Sequence, residues 1–144
     1  MEIKKVAESV YAVRLFVDEE IISCLTQCAK EYKFFSASLQ GIGAVKDIEI
    51  GFYELPQKKF EKKFLKEDHE LLSALGNITW FENQPIIHIH VTLGGADYKV
   101  IGGHLFSAKI AVAGEFFLTA YPTKVLRTPN PNIGLNLWNL KQCG

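Results

Sequence analysis

The sequence predicts an α/β protein of the α+β type, in which a mainly antiparallel sheet of about seven strands packs against one principal helix. Apolar residues recur at helical spacing in only one convincing stretch, whereas runs of β-branched and aromatic residues indicate seven or eight strands along the rest of the 144 residues. Most connections between these strands are too short for the crossovers that parallel strands need, so the pattern favours antiparallel pairing.

The first part of the chain supplies the helix. Ser9 to Val17 is predicted to be a strand. Glu19 to Lys33 is predicted to be the helix, with Asp18 as its N-cap and two glutamates in its first turn, where carboxylates favour the helix dipole. Phe34 to Leu39 and Asp47 to Leu55 follow as strands on either side of a glycine-bracketed turn or bulge.

The remainder of the predicted core consists of strands. Their expected ranges are Lys58 to Leu65, Leu71 to Leu75, Ile78 to Phe81, Ile86 to Leu93, Lys99 to Ile101 and Leu105 to Tyr121. The first of these is highly charged and is expected at a sheet edge or on a solvent face. Glycines at positions 76, 102, 103 and 114 are expected to bend or interrupt the strands, and Gly102 and Gly103 could instead allow another group to approach closely.

Length and composition indicate one domain spanning residues 1–144, with a core at about 10–121. Residues 122–144 are rich in proline and asparagine and are expected to form a mostly irregular C-terminal tail. A hydrophobic fraction of 48% is ample for a core, so neither a disulfide nor a structural metal is needed for stability. A bound metal would therefore serve function.

The cysteines and the hydropathy pattern favour a cytoplasmic location. Cys24, Cys28 and Cys143 form no even disulfide framework, and reduced buried thiols are the preferred interpretation over a redox pair or a metal site. The N-terminus shows no signal-peptide pattern, and no apolar run approaches the roughly 18 residues that would suggest a membrane span. No membrane partner is expected.

The charge balance argues against a general polyanion binder. Sixteen basic and sixteen acidic residues give a net charge of zero, whereas such binders need excess cationic charge. Five lysines between Lys58 and Lys66 alternate with phenylalanines, which is one pattern of nucleic-acid contact. Glutamates and an aspartate dilute this cluster, so a charged edge strand that prevents sheet-to-sheet aggregation is the preferred interpretation.

Three of the four histidines indicate a metal site. His88 and His90 occupy positions i and i+2 of a predicted strand and therefore point to the same face. A hairpin through the glycine-rich turn brings His104 back toward them. Three neutral imidazoles leave one open position on a tetrahedral Zn²⁺, as in catalytic or ligand-binding sites. The alternative is a polar pocket or subunit interface in which the histidines only form hydrogen bonds; His69 is expected to be a solvated or capping residue.

Glu115 is the one candidate catalytic residue outside the histidines. It follows a glycine in an otherwise apolar strand, where a carboxylate must find a partner or have its pKa raised. It could then act as a general base or orient a histidine. The alternatives are an outward-facing side chain and an ion pair with Arg14.

The order of several short motifs resembles a known family. The motifs are Arg14-Leu15, GIGAV at Gly41 to Val45, GFY at Gly51 to Tyr53, ELLSALGNI at Glu70 to Ile78, HIHVTL at His88 to Leu93 and GGHL at Gly102 to Leu105, with Glu115 downstream. In this order and spacing they resemble the plants and prokaryotes conserved (PPC) domain, also known as DUF296 or PD1-like. The resemblance covers Val10 to Tyr121.

The resemblance implies an α/β fold with a mainly antiparallel sheet, assembled as a homotrimer. It also implies that His88, His90 and His104 bind a metal ion, with zinc or another transition metal as the cofactor. Plant proteins of this family join the domain to an AT-hook that contacts AT-rich DNA. This chain has no such hook, so it resembles the prokaryotic stand-alone type, for which nucleic acid is not the expected partner.

These observations lead to three function hypotheses. The first is a trimeric metal-binding protein whose open coordination position takes a small ligand, as a ligand-binding or regulatory module. The second is a zinc-dependent hydrolase or lyase that uses metal-bound water, with Glu115 as proton shuttle. The third is a DNA-binding protein of the PD1-like type.

Overall fold

A long antiparallel sheet forms the body of the chain in the computed structural model, which describes residues 1–141. Its seven strands are β1 (Glu2–Lys5), β2 (Val10–Leu15), β3 (Ser36–Glu54), β4 (Lys59–Leu65), β5 (His69–Phe81), β6 (Gln84–Gly94) and β7 (Val100–Tyr121). A short 3-10 turn, Leu55–Gln57, separates β3 from β4. The α-helix α1 spans Ile21–Glu31. The predicted fold class is therefore confirmed.

The sheet closes on itself through its two longest strands. The strand order is β1-β2-β7-β6-β5-β3-β4, and β3 also pairs with β7. Strands β3, β5, β6 and β7 therefore form a closed ring in which every neighbouring pair is antiparallel. The lysine-rich strand β4 lies at one edge of the sheet, as its charge pattern predicts.

The strands are longer and less interrupted than the sequence predicts. Glycine 76 lies within β5, and glycines 102, 103 and 114 lie within β7, and none of them ends a strand. The reason is close backbone approach. A Cβ atom added to Gly102 would lie 2.5 Å from the carbonyl oxygen of Val91, and one added to Gly103 would lie 2.9 Å from that of Gly51. These glycines mark tight contacts between strands, which is the alternative meaning of glycine inside a strand.

Helix α1 and its N-cap begin two residues later than predicted. Glu20 is the N-cap, and its carboxylate accepts hydrogen bonds from the backbone N–H groups of Ile22 at 3.0 Å and Ser23 at 2.7 Å. The predicted cap, Asp18, instead has a left-handed backbone with φ of 68° and pairs with Lys46 at 2.8 Å. A partner distant in sequence therefore displaced the cap by two positions.

The helix packs its apolar stripe against β6 and β7. The buried residues of this stripe are Ile21, Leu25, Cys28 and Ala29. Cys28 and Cys24 are free thiols, as predicted, and burial raises the pKa of Cys28 to about 12. Cys143 lies outside the described residues. With eleven residues, α1 is too short to cross a membrane, and no other helix in residues 1–141 is long and apolar enough to do so.

The C-terminal segment contains a hairpin that the sequence does not predict. Strands β8 (Arg127–Asn130) and β9 (Leu135–Trp138) pair in a separate two-stranded sheet. The segment is attached to the main sheet by a hydrogen bond from the Trp80 amide to the Val125 carbonyl at 2.9 Å. The expectation of a mostly irregular tail missed this hairpin, because short strands rich in proline and asparagine lack the usual alternating pattern.

Candidate metal centre

Neighbouring strands bring the three predicted histidines together. His88 and His90 lie on β6, two residues apart and on one face. His104 lies on β7, directly opposite His90 in the antiparallel ladder. The hairpin between β6 and β7 thus returns His104 to the same position along the sheet, as the sequence analysis predicts.

The distances between the imidazoles fit one metal ion. The ring centroids are 5.1 Å apart for His88 and His90, 5.1 Å for His88 and His104, and 5.6 Å for His90 and His104. The Nε2 atoms of His88 and His90 are 3.2 Å apart, and one nitrogen from each ring lies within 4.8 Å of the others. Two nitrogens on a tetrahedral zinc ion are about 3.3 Å apart, so the His88–His90 pair already has the separation of two zinc ligands.

The surroundings of His88 and His104 keep these two imidazoles neutral at pH 7. Burial, with the nearby Arg127 and His90, lowers the pKa of His88 to about 4. Burial, with the other two histidines and then Arg127 and Lys62, lowers the pKa of His104 to about 4. A neutral imidazole is the form that binds a metal, so two of the three rings are ready for coordination at neutral pH.

Aromatic side chains form the wall beside His104. The ring centroids of Phe60 and Phe106 lie 4.9 Å and 4.8 Å from that of His104. The Nζ atom of Lys62 lies 3.9 Å from the centroid of Phe106. This wall is apolar on the histidine side and cationic at its rim, while His90 is exposed and leaves the cluster accessible from solvent.

Arg127 lies beside His88, and no motif in the sequence indicates that it belongs to the site. Its Nη2 atom lies 3.3 Å from Nδ1 of His88. It comes from β8 in the unpredicted hairpin and reaches β6 from 39 positions away in sequence. The one available signal was composition, because Arg127 and Arg14 are the only arginines in the chain.

Glu115 and His69 lie away from the cluster. Glu115 is exposed near the other end of β7, where it faces Arg14 on β2 and Ile42 on β3. It is eleven residues from His104, a separation on the order of 30 Å at about 3.3 Å per residue. Within the chain it cannot touch a group bound at the histidines. The Nδ1 atom of His69 lies 2.9 Å from the carbonyl oxygen of Glu67, in keeping with its predicted local role.

Comparisons with known proteins agree with this architecture. A protein from Bacteroides thetaiotaomicron, provisionally described as DNA-binding, is 33% identical, with a TM-score of 0.94 and 98% of each chain covered. A metal-containing protein from Archaeoglobus fulgidus is also 33% identical, with a TM-score of 0.84, and 96% of this chain and 95% of that chain are covered.

A third solved structure carries the family name. It is a plant- and prokaryote-conserved protein from Pyrococcus horikoshii, 30% identical, with a TM-score of 0.85, and 96% of this chain and 93% of that chain are covered. No curated protein sequence matches significantly. The model of the Plants and Prokaryotes Conserved domain matches residues 3–122. The chain therefore belongs to the Plants and Prokaryotes Conserved domain family.

Proposed function

We propose that this chain is a metal-binding protein in which His88, His90 and His104 hold one zinc ion and leave one coordination position for a small ligand. It then acts as a ligand-binding or regulatory module. The observation that supports this proposal is the convergence of three imidazoles from two paired strands, with ligand nitrogens within 4.8 Å of one another. The relative from Archaeoglobus fulgidus, described as metal-containing, gives further support.

A binding role is favoured over the zinc-hydrolase alternative. Hydrolysis by metal-bound water needs a proton shuttle within hydrogen-bond reach of the reacting group. The predicted shuttle, Glu115, lies at the far end of β7. Within residues 1–141, the group of potential ligands that includes these histidines contains no aspartate or glutamate.

DNA binding is the weakest of the three hypotheses. The Bacteroides thetaiotaomicron relative is described provisionally in those terms. In this chain, however, the net charge is zero, and the lysines of the edge strand are partly engaged. Lys62 pairs with Glu49 at 2.9 Å, and Lys58 donates to the carbonyl oxygen of Pro131 at 2.6 Å. A chain with no excess of cations gains little from releasing counterions from phosphates.

The test is the metal content of the untagged protein, measured by elemental analysis. We expect about one zinc or other transition-metal ion per chain, because one chain supplies all three ligands. A His88→Ala/His104→Ala double variant is expected to lose the metal, whereas His69→Gln, which alters the remaining histidine, is expected to retain it. Absence of metal from the wild-type chain after reconstitution at neutral pH would contradict the proposal.

Assembly as a homotrimer, implied by the family resemblance, is part of the proposal. An open groove of about 870 Å³ lies at the Glu115 end of the sheet. Around it, the side chains of Ile42, Leu75 and Phe117 are each more than half exposed. Contiguous exposed apolar surface is typical of protein–protein interfaces.

The mass in solution tests this assembly. Size-exclusion chromatography with light scattering is expected to give three chains per particle for the wild type. A Leu75→Asp/Phe117→Asp variant is expected to shift toward one chain. A wild-type mass of one chain at micromolar concentration would contradict the trimer.

A cytoplasmic location is also part of the proposal. The free thiols of Cys24 and Cys28 agree with it, because cysteines stay reduced in the cytoplasm.

A further inference from the structure

Arg127 is a half-buried cation that has no acidic partner among the residues that the structure describes. Burial alone accounts for the lowering of its pKa. None of the ion pairs among residues 1–141 involves this guanidinium. Placing a charge away from water without a counter-charge is costly, and such groups in proteins are usually paired. The charge of Arg127 therefore favours an anion supplied from outside the chain.

Neutral groups hold the guanidinium in a fixed orientation. Nε donates to the hydroxyl of Thr79 at 2.7 Å, Nη1 donates to the carbonyl of Asn136 at 2.8 Å, and Nη2 donates to the side-chain carbonyl of Asn77 at 3.2 Å. Thr79 is itself 1% exposed. Since these contacts satisfy polar groups without neutralising the charge, Arg127 is positioned in advance and keeps its full positive charge.

Metal binding changes what Arg127 can donate to. In the structure, one Nη2 group faces Nδ1 of His88, while Nε2 of His88 faces His90. An imidazole that binds a metal through Nε2 carries its hydrogen on Nδ1 and can no longer accept there. One N–H group of Arg127 is then left beside the metal site without its acceptor. A ligand at the open coordination position that carries an acceptor atom would take the place of Nδ1 of His88 as the partner of this N–H group.

The charged side chains beside the histidines are cationic, with one acidic neighbour. Arg127 lies 3.3 Å from His88. Lys62 lies over the ring of Phe106, which packs against His104. Glu49 pairs with Lys62 at the rim and offsets that one charge. A divalent ion would add two further positive charges, so the loaded site favours an anionic ligand over a neutral one.

We propose that the open position takes a small oxyanion, a carboxylate or a phosphate group, and that Arg127 is the residue that recognises it. This inference rests on the proposed metal site. One oxygen of the anion occupies the open coordination position of the metal, and another accepts a hydrogen bond from the guanidinium of Arg127. An anion with at least two oxygens can bridge the metal and the guanidinium in this way, whereas a halide has a single atom and cannot. Carboxylate and phosphate share this chemistry, and their relative affinities identify the natural class.

The test uses the full-length protein loaded with Co²⁺, whose visible absorption reports on its ligands. Acetate and inorganic phosphate are titrated into the wild type, Arg127→Lys and Arg127→Gln. We expect saturable spectral changes in the wild type. Arg127→Gln is expected to weaken anion binding roughly 10- to 100-fold, as for the loss of a hydrogen bond to a charged group, with Arg127→Lys in between.

Three controls distinguish a loss of anion recognition from a loss of folding or of bound metal. Arg14→Gln removes the other arginine and is expected to leave anion affinity unchanged. Imidazole, a neutral ligand, is expected to bind the wild type and Arg127→Gln equally. Thermal unfolding and metal content of each variant are measured alongside, because Arg127 also anchors the hairpin. Equal loss of imidazole and anion binding in Arg127→Gln would identify a structural role and overturn the inference.

The remaining outcomes are equally decisive. If the wild type binds no metal, the proposed function fails before anions are tested. If it binds Co²⁺ but neither anion, the oxyanion inference fails while the metal site stands. If both anions bind wild type and Arg127→Gln with the same affinity, the metal alone holds them and Arg127 has no recognition role.

Discussion

The two ends of strand β7 carry the same short pattern in different surroundings. Gly103 precedes His104 at one end, and Gly114 precedes Glu115 at the other. His104 faces side chains from β6 and an aromatic wall. Glu115 points outward beside an apolar groove. A glycine followed by an ionisable residue therefore does not define a site; what defines it is whether neighbouring strands supply further ligands on the same face.

The largest expected difference between the two ends is in metal affinity. His104→Gln removes one of three proposed ligands and is expected to weaken zinc binding by more than about 100-fold, since even changes outside the ligand set cost about 10- to 100-fold. Glu115→Gln is expected to leave affinity unchanged. Competition with a chromophoric chelator measures both. A comparable loss in the two variants would show that both ends of β7 contribute to the metal site.

The next difference is in stability, and it compares the glycines of the two ends. A methyl group at Gly102 would lie 2.5 Å from the backbone oxygen of Val91, whereas one at Gly114 would lie 2.6 Å from the flexible Cδ1 of Ile110. We expect Gly102→Ala to lower the free energy of unfolding by about 2–3 kcal/mol and Gly114→Ala by about 1 kcal/mol or less. Urea unfolding of both variants measures this difference, and similar costs at the two positions would contradict it.

The smallest effect is the pH dependence of the metal-free protein. The folded chain lowers the pKa of His88 and His104 from 6.5 to about 4, chiefly by burial. Between these values the unfolded chain binds more protons, so the free energy of unfolding falls as the pH is lowered through this window. Because both rings are partly exposed, we expect a loss of about 1–2 kcal/mol in total.

Urea unfolding at pH 7.0, 5.5 and 4.5 measures this loss. A His88→Gln/His104→Gln variant serves as the control and is expected to show a flatter profile, whereas Glu115→Gln is expected to follow the wild type. A wild-type profile as flat as that of the double variant would show that the two histidines take up protons equally in the folded and the unfolded chain. His88 and His104 would then contribute no more to the pH dependence of stability than Glu115 does.

The histidine site could be predicted because its geometry is local. His88 and His90 share a face by strand periodicity alone, and a short hairpin determines where His104 lies. Arg127 could not be predicted in the same way. Its place depends on Thr79 and Asn77 of β5, about fifty positions earlier in the chain, and on a hairpin without the usual strand pattern. Contacts between distant segments leave no periodic signal in sequence.

The fold class could also be predicted, but the extent of the strands could not. The expectation that glycine interrupts the strand was wrong at Gly102 and Gly103. The alternative of close approach is confirmed there, because other backbones come near both glycines. The same limit applied to the helix start. Asp18 is a good N-cap by residue type, but its ion pair with Lys46 holds it outside the helix and leaves Glu20 as the cap. In each case a tertiary contact overrode a local preference.

The closed ring of β3, β5, β6 and β7 has a consequence for the order of folding. The pairing of His90 with His104 spans fourteen residues, whereas the pairing of Gly51 with His104 joins positions 53 residues apart. Short loops close at a lower entropic cost than long ones, and distant pairings slow folding. We therefore expect the β6–β7 hairpin, which carries the three histidines, to form early. The pairing of β3 with β7, which closes the ring, is expected to follow as a slower step. A nascent chain would then present its proposed metal ligands before the ring of strands is complete.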